Sequence, residues 1–107
     1  MSTDTRPAPD RDWLDEVRTT LTDQLAEHRT RLTQLTADTG DPGEAYTQRA
    51  LIGATRQSLD EIAGALERLA EGRYGICEEC GGSIPRERLQ ILSHARFCVP
   101  CQRRRGN

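Results

Sequence analysis

The chain has 107 residues, 35% of them hydrophobic and only 4% aromatic, too thin an apolar inventory for the usual core of a domain this size. Such a chain needs a staple such as a metal, disulfides or extended helix pairing, and the sequence offers two of these in separate halves. No run of about 18 apolar residues occurs, and the Pro/Thr/Asp-rich start lacks the order of a signal peptide, so a cytoplasmic protein with no membrane association is expected.

The net charge of -2 conceals a gradient: residues 1–45 carry five Arg against ten Asp/Glu, whereas residues 46–107 carry ten Arg against seven. The two ends therefore suit different partners. All fifteen basic residues are Arg, which reads first as compositional bias, although Arg also suits phosphate and carboxylate contacts.

Residues 1–10 read as disordered, with Asp10 or Asp12 placed to cap a helix opening near Trp13. Leu14, Val17, Leu21, Leu25, Leu32 and Leu35, with His28 in the same stripe, recur every three or four residues, so the spacing predicts one amphipathic helix over 12–37. Thr39-Gly40-Asp41-Pro42-Gly43 cannot continue it, making 38–43 a tight tip. Ala45, Ile52, Leu59, Ile62, Leu66 and Leu69, with Gln48 and Thr55 at seam positions, then define a second helix over 44–71, closed by Gly72.

Equal lengths and a short connection force the helices antiparallel, so residues 11–72 form a coiled-coil hairpin about 39 Å long. A turn centred near Asp41 sets Leu14 against Leu69 and Leu35 against Gln48, a seam drier at the base than at the tip. Trp13 falls beside Ala70 at the base, where it can pack against whatever follows. His28 reads as a tolerated seam histidine, not a ligand.

In residues 73–107, Cys77-Glu78-Glu79-Cys80 and Cys98-Val99-Pro100-Cys101 stand seventeen residues apart. In a reducing compartment two such pairs favour a metal site over disulfides, and four thiolates match a tetrahedral structural zinc. A redox dithiol and an iron–sulfur cluster are the rival readings, and His94 reads as a surface loop residue. A closed four-thiolate sphere leaves no position for catalytic water, so no enzymatic role is expected. Arg73–Ile76 and Arg96–Cys98 read as short strands, and Ser83 before Pro85 as a helix start.

The stretch Tyr74-Gly75-Ile76-Cys77-Glu78-Glu79-Cys80-Gly81, with Ile84-Pro85, Arg88-Leu89 and Phe97-Cys98-Val99-Pro100-Cys101-Gln102, closely resembles the zinc finger of the DksA/TraR family. The hairpin ahead of it fits the family's layout: mainly α, a long coiled-coil hairpin followed by a small four-cysteine zinc ribbon. The resemblance implies a monomeric transcription regulator that binds bacterial RNA polymerase directly, and not DNA. Its coiled coil would pass through the secondary channel, often together with the alarmone ppGpp, and bring acidic tip residues near the active site.

Better-known members have a tip reading Asp-Pro-x-Asp-x-Ala. Here Asp41 and Pro42 match, Glu44 stands where the second Asp would be, and Tyr46 occupies the alanine position, with Ala45 one place early. Asp41, Glu44 and Asp38 are thus the implied polymerase-binding tip. The hairpin is shorter than in the longer members and six residues follow Cys101, so the resemblance implies reduced reach and grip. Arg103, Arg104 and Arg105 are the candidate polymerase or phosphate contacts. The alternative from another class is a zinc-ribbon nucleic-acid-binding or protein-adaptor module.

Overall fold

The computed structural model describes residues 11–37 and 42–106. The expected disordered start at 1–10, Asp10 as a cap, and the tip acids Asp38 and Asp41 lie outside the described residues. Two long helices dominate: α1, Arg11–Ala37, and α2, Ala45–Ala70, which is entered through a short 3-10 turn at Pro42–Glu44. Two short helices follow, α3 at Arg86–Ile91 and α4 at Val99–Arg104.

The helices pair antiparallel in one register throughout. Leu21 and Ile62, both fully buried, belong to one cluster with Ala65 and Leu69, against which Leu14, Val17, Leu25 and Leu66 pack. Near the tip the Gln48 side-chain amide donates to the Leu35 carbonyl, and buried Thr55 donates to Leu51 O at 2.7 Å. The seam is apolar at the base and hydrogen-bonded above it. His28 lies half-buried there, its Nδ1 2.8 Å from Gln24 O within its own helix.

At the foot of α2, Gly72 adopts φ 74°, a left-handed conformation that glycine takes without a Cβ penalty. It allows the paired C-terminal bonds Gly72 N–H to Leu69 O (3.2 Å) and Arg73 N–H to Arg68 O (2.8 Å), which satisfy carbonyls the helix end would otherwise orphan. The chain turns there into a second small core of Cys77, Ile84, Leu89, Ala95, Phe97 and Cys101, with Trp13 and Tyr74 packed against it. The Trp13 ring lies 6.0 Å from that of Tyr74, so the hairpin base does pack on the C-terminal module.

The strands expected at Arg73–Ile76 and Arg96–Cys98 do not form. Gly75 at φ 82° breaks the first extended run, Ile76 N–H turns back to Arg73 O, and the described residues hold only an isolated bridge between Ile76 and Ser83. Ser83 therefore serves that bridge. The N-cap of α3 is Pro85, whose carbonyl accepts from Arg88 N–H and Leu89 N–H at 3.0 and 3.1 Å.

Arg68 joins the two cores. Its side chain, 7% exposed, reaches from the last turn of α2 to the His94 carbonyl (Nη2, 3.2 Å) and to Glu78 Oε2 (Nη1, 3.6 Å). A Cβ added at Gly64, one turn earlier, would sit 3.4 Å from Arg68 Nη1, so the glycine leaves the guanidinium its path along the helix. Burial pulls the Arg68 pKa down and Glu78 pulls it back up. Arg68→Met keeps the aliphatic stem but strips Glu78 and the His94 carbonyl of their partner, at a cost of about 1–3 kcal/mol. Urea unfolding should show that loss, with the module melting before the hairpin; an unchanged midpoint would mean that the junction does not depend on the charge.

Candidate metal centre

The first cysteine pair occupies a tight knuckle. Cys77 N–H donates to Gly82 O at 2.7 Å, and Gly81 N–H returns to Cys77 O at 2.9 Å. The return needs the positive φ of Gly81, 78°. Gly82 N–H then lies 3.4 Å from Cys80 Sγ. The second pair opens α4: Cys98 is its N-cap with extended backbone, and Cys101 falls in the first turn, where Pro100 gives up no amide the helix would use. One backbone bond, Glu78 N–H to Arg96 O at 2.9 Å, ties the two halves together.

The result is convergence of four sulfurs. Cys77, Cys80, Cys98 and Cys101 place their Sγ atoms within 4.8 Å of one another, the one potential metal-binding group among the described residues. Cys80 Sγ and Cys98 Sγ are 3.9 Å apart, close to the edge of about 3.8 Å for a tetrahedron with metal–sulfur bonds of about 2.3 Å. All four are free thiols, not disulfides. Cys77 and Cys101 are buried, Cys98 is half-buried and Cys80 is exposed.

The electrostatics suit a cation. Burial pushes the Cys77 thiol up, but backbone amides around Cys80, Cys98 and Glu79 outweigh it and bring the thiol down to about 6. Cys101 moves the other way, up to about 12, through burial and then through its crowding against the other three sulfurs. Arg104 Nη2 donates to Cys101 Sγ at 3.0 Å. A divalent ion relieves the crowding that one guanidinium leaves. With four sulfurs within 4.8 Å of one another and one pair near the tetrahedral edge length, the donor set suits a closed zinc site.

The remaining candidates fall elsewhere. His94 is half-buried, offers its carbonyl to Arg68, and holds Nδ1 3.7 Å from Glu61 Oε1. It shares a shallow groove with His28 and Ile91, a proximity between two stripes that spacing could not reveal. Glu44 is exposed at the entry to α2 and makes no side-chain cap hydrogen bond. In the basic tail, Arg104 is committed to Cys101, and Arg105 pairs with Glu79 (3.1 Å) and covers the Phe97 ring at 4.3 Å. Arg103 is exposed.

Residues 72–105 match the family model for the prokaryotic dksA/traR C4-type zinc finger. The C-terminal module is a zinc finger of the DksA/TraR family. The chain is 34% identical over 85 residues to the RNA polymerase-binding transcription factor DksA of Caulobacter vibrioides, a stretch covering 76% of this chain and 60% of that one. General stress protein 16O of Bacillus subtilis is 32% identical over 78 residues, 73% of this chain and 42% of the relative. The chain thus spans less than two thirds of these curated relatives. The solved structure of transcription factor DksA2 from Pseudomonas aeruginosa superposes with a TM-score of 0.75 at 28% identity, covering 94% of this chain and 90% of that one. The family and the sulfur geometry together favour zinc over the iron–sulfur and redox readings.

Two tests follow from the centre. Chelation, or Cys80→Ser, should abolish the near-ultraviolet signal of Trp13 and Tyr74 while much of the far-ultraviolet helical signal persists, because metal binding and module folding are coupled; an unchanged near-ultraviolet spectrum would contradict it. Zinc affinity should also rise with pH above about 6, since Cys101 keeps its proton well above neutrality and must release it to bind, whereas acid reprotonates Cys77 as well and expels the ion. Competition with a chromogenic chelator across a pH series measures this, and a flat affinity between about pH 6 and 8 would oppose it.

Proposed function

We propose that this chain is a DksA-like, non-enzymatic transcription regulator that binds RNA polymerase by inserting its hairpin into the secondary channel, with zinc in a structural role. The observation that carries the reading is the extent of the structural likeness. It takes in 94% of the chain, so the hairpin is shared with a transcription factor as well as the finger.

The physical layout fits that use. A hairpin of about 40 Å stands on a base braced by Arg68, and its free end presents Glu44 to solvent, with Asp38 and Asp41 adjoining it in sequence. Asp41, Glu44 and Asp38 would act on the catalytic region of the polymerase. The four thiolates leave zinc no open coordination position, which supports a binding role over a hydrolytic one. In the tail, Arg103 is best placed to touch the partner, because Arg104 and Arg105 already brace the module. Those commitments lend the nucleic-acid and adaptor alternatives less support. A co-bound ppGpp belongs to the proposal as a contact shared with the polymerase.

The deciding experiment is competition with a known secondary-channel factor for bacterial core RNA polymerase, run beside an Asp41→Ala/Glu44→Ala variant. Both proteins should compete, and only the wild type should change transcript output. No binding by the wild type would remove the reading.

A further inference from the structure

The exposed charges along the hairpin are segregated by height. Gln48 bonds to Leu35 near the tip, and Leu21 and Ile62, whose numbers make the same sum, share one cluster lower down, so each residue of α1 is taken as level with the residue of α2 that makes that sum. Arg49 is then level with Gln34 and Arg56 with Glu27, while Arg29 and Arg31 lie between. Four arginines fall within about 10 Å of the hairpin's length. Below them acidic residues outnumber basic ones, with Asp15, Glu16 and Asp23 on α1 and Asp60 and Glu67 on α2 against the exposed Arg11 and Arg18.

None of this serves the fold. All four arginines are exposed, and among the described residues none makes an ion pair or a side-chain hydrogen bond. Glu27 marks the lower edge of the belt and stands one turn from Arg31, yet the two do not pair within 4.0 Å. A solvated helix face normally mixes signs at i, i+4 to gain a few tenths of a kcal/mol per pair. Here four arginines crowd into one belt, with Glu27 at its lower edge the one acid at these levels of the two helices.

The directions of the four matter as much as their number. Arg29 and Arg31 are two residues apart, about 200° around α1, whereas Arg49 and Arg56 are seven apart and share a face of α2. The belt therefore points outward on several sides. A single phosphate or nucleotide would need convergent guanidinium groups; divergent ones suit a partner that surrounds the hairpin.

We propose that Arg29, Arg31, Arg49 and Arg56 form a collar that docks against acidic side chains lining a protein channel enclosing the distal half of the hairpin. The inference rests on the insertion reading above and adds the chemistry of the channel wall. The collar steers entry and fixes depth: cations engage the wall while the acidic base is held back from it.

The test measures affinity for core RNA polymerase across a salt series for four proteins. These are the wild type, Arg29→Gln/Arg31→Gln/Arg49→Gln/Arg56→Gln, the half-collar Arg49→Gln/Arg56→Gln, and a basal control, Arg11→Gln/Arg18→Gln. Glutamine keeps helix propensity, and far-ultraviolet circular dichroism checks each fold; the half-collar keeps the question open to measurement should the fourfold variant misfold. The collar predicts a loss of roughly 10–100-fold at low salt for the fourfold variant, a flatter salt dependence, an intermediate half-collar, and a control like the wild type. Collar variants that bind as the wild type does, with the same salt dependence, would overturn the collar while leaving channel insertion standing. Absence of wild-type binding would overturn both. Collar-dependent retention of polyphosphate or single-stranded DNA without polymerase would assign the belt to phosphates and overturn the enclosing wall.

Discussion

The guanidinium of Arg68 lies where the two halves of the molecule meet, and the orientation of one half on the other depends on it. A buried charge is tolerated only when it is paired and hydrogen-bonded. Arg68 meets both terms through Glu78, inside the first cysteine knuckle, and through the carbonyl of His94, four residues before the second pair. Glu78 is held in turn by Arg96, which donates to its Oε1 from Nε and Nη2 at 3.1 and 3.0 Å. One carboxylate thus sits between the helix end and both metal-binding segments. The hairpin is a lever of about 40 Å, so a tilt of about 6° at this junction would move its tip on the order of 4 Å.

The same economy explains how the module holds its shape without a sheet. Buried backbone carbonyls need donors, and in the segment from Ser93 to Phe97 the donors are mostly side chains. Tyr74 Oη donates to Ser93 O at 2.7 Å, Arg68 to His94 O, and Arg88 Nε to Phe97 O at 3.0 Å, with the Glu78 amide supplying Arg96 O. Burial raises the Tyr74 pKa to about 12, so its hydroxyl keeps the proton it donates. The loop is set by anchors from the helix end, the Gly75 turn and α3, and those anchors also deliver Cys98 to the other three sulfurs.

The hairpin was legible because its physics is periodic. Apolar spacing located α1 and α2 within a residue or so, and matched lengths with a short turn fixed the register that sets Leu35 beside Gln48. The four thiols were legible because zinc geometry constrains local spacing. The module's interior was not, because its order comes from long-range bonds by Arg68, Tyr74 and Arg88, residue types that read as surface positions. The expected strands failed for two reasons: the positive φ of Gly75 turned the first back on itself, and in the second Phe97 O took its donor from the Arg88 side chain. Arg104 was missed as a neighbour of Cys101, although its i+3 spacing on a helix becomes plain once α4 is known. The collar needed the register as well as the sequence.

The constant register has a consequence for how such a molecule can vary. Because the seam repeats by the same rule from Leu21 and Ile62 up to Leu35 and Gln48, removing or adding seven residues in both helices together leaves every remaining layer facing its old partner. The reach then changes in steps of about 10 Å, while the junction at Arg68, the cysteine knuckles and the turn are untouched. The hairpin is a ruler graduated in heptads, and its length can follow the depth of a partner's cavity without any redesign of the base on which it stands.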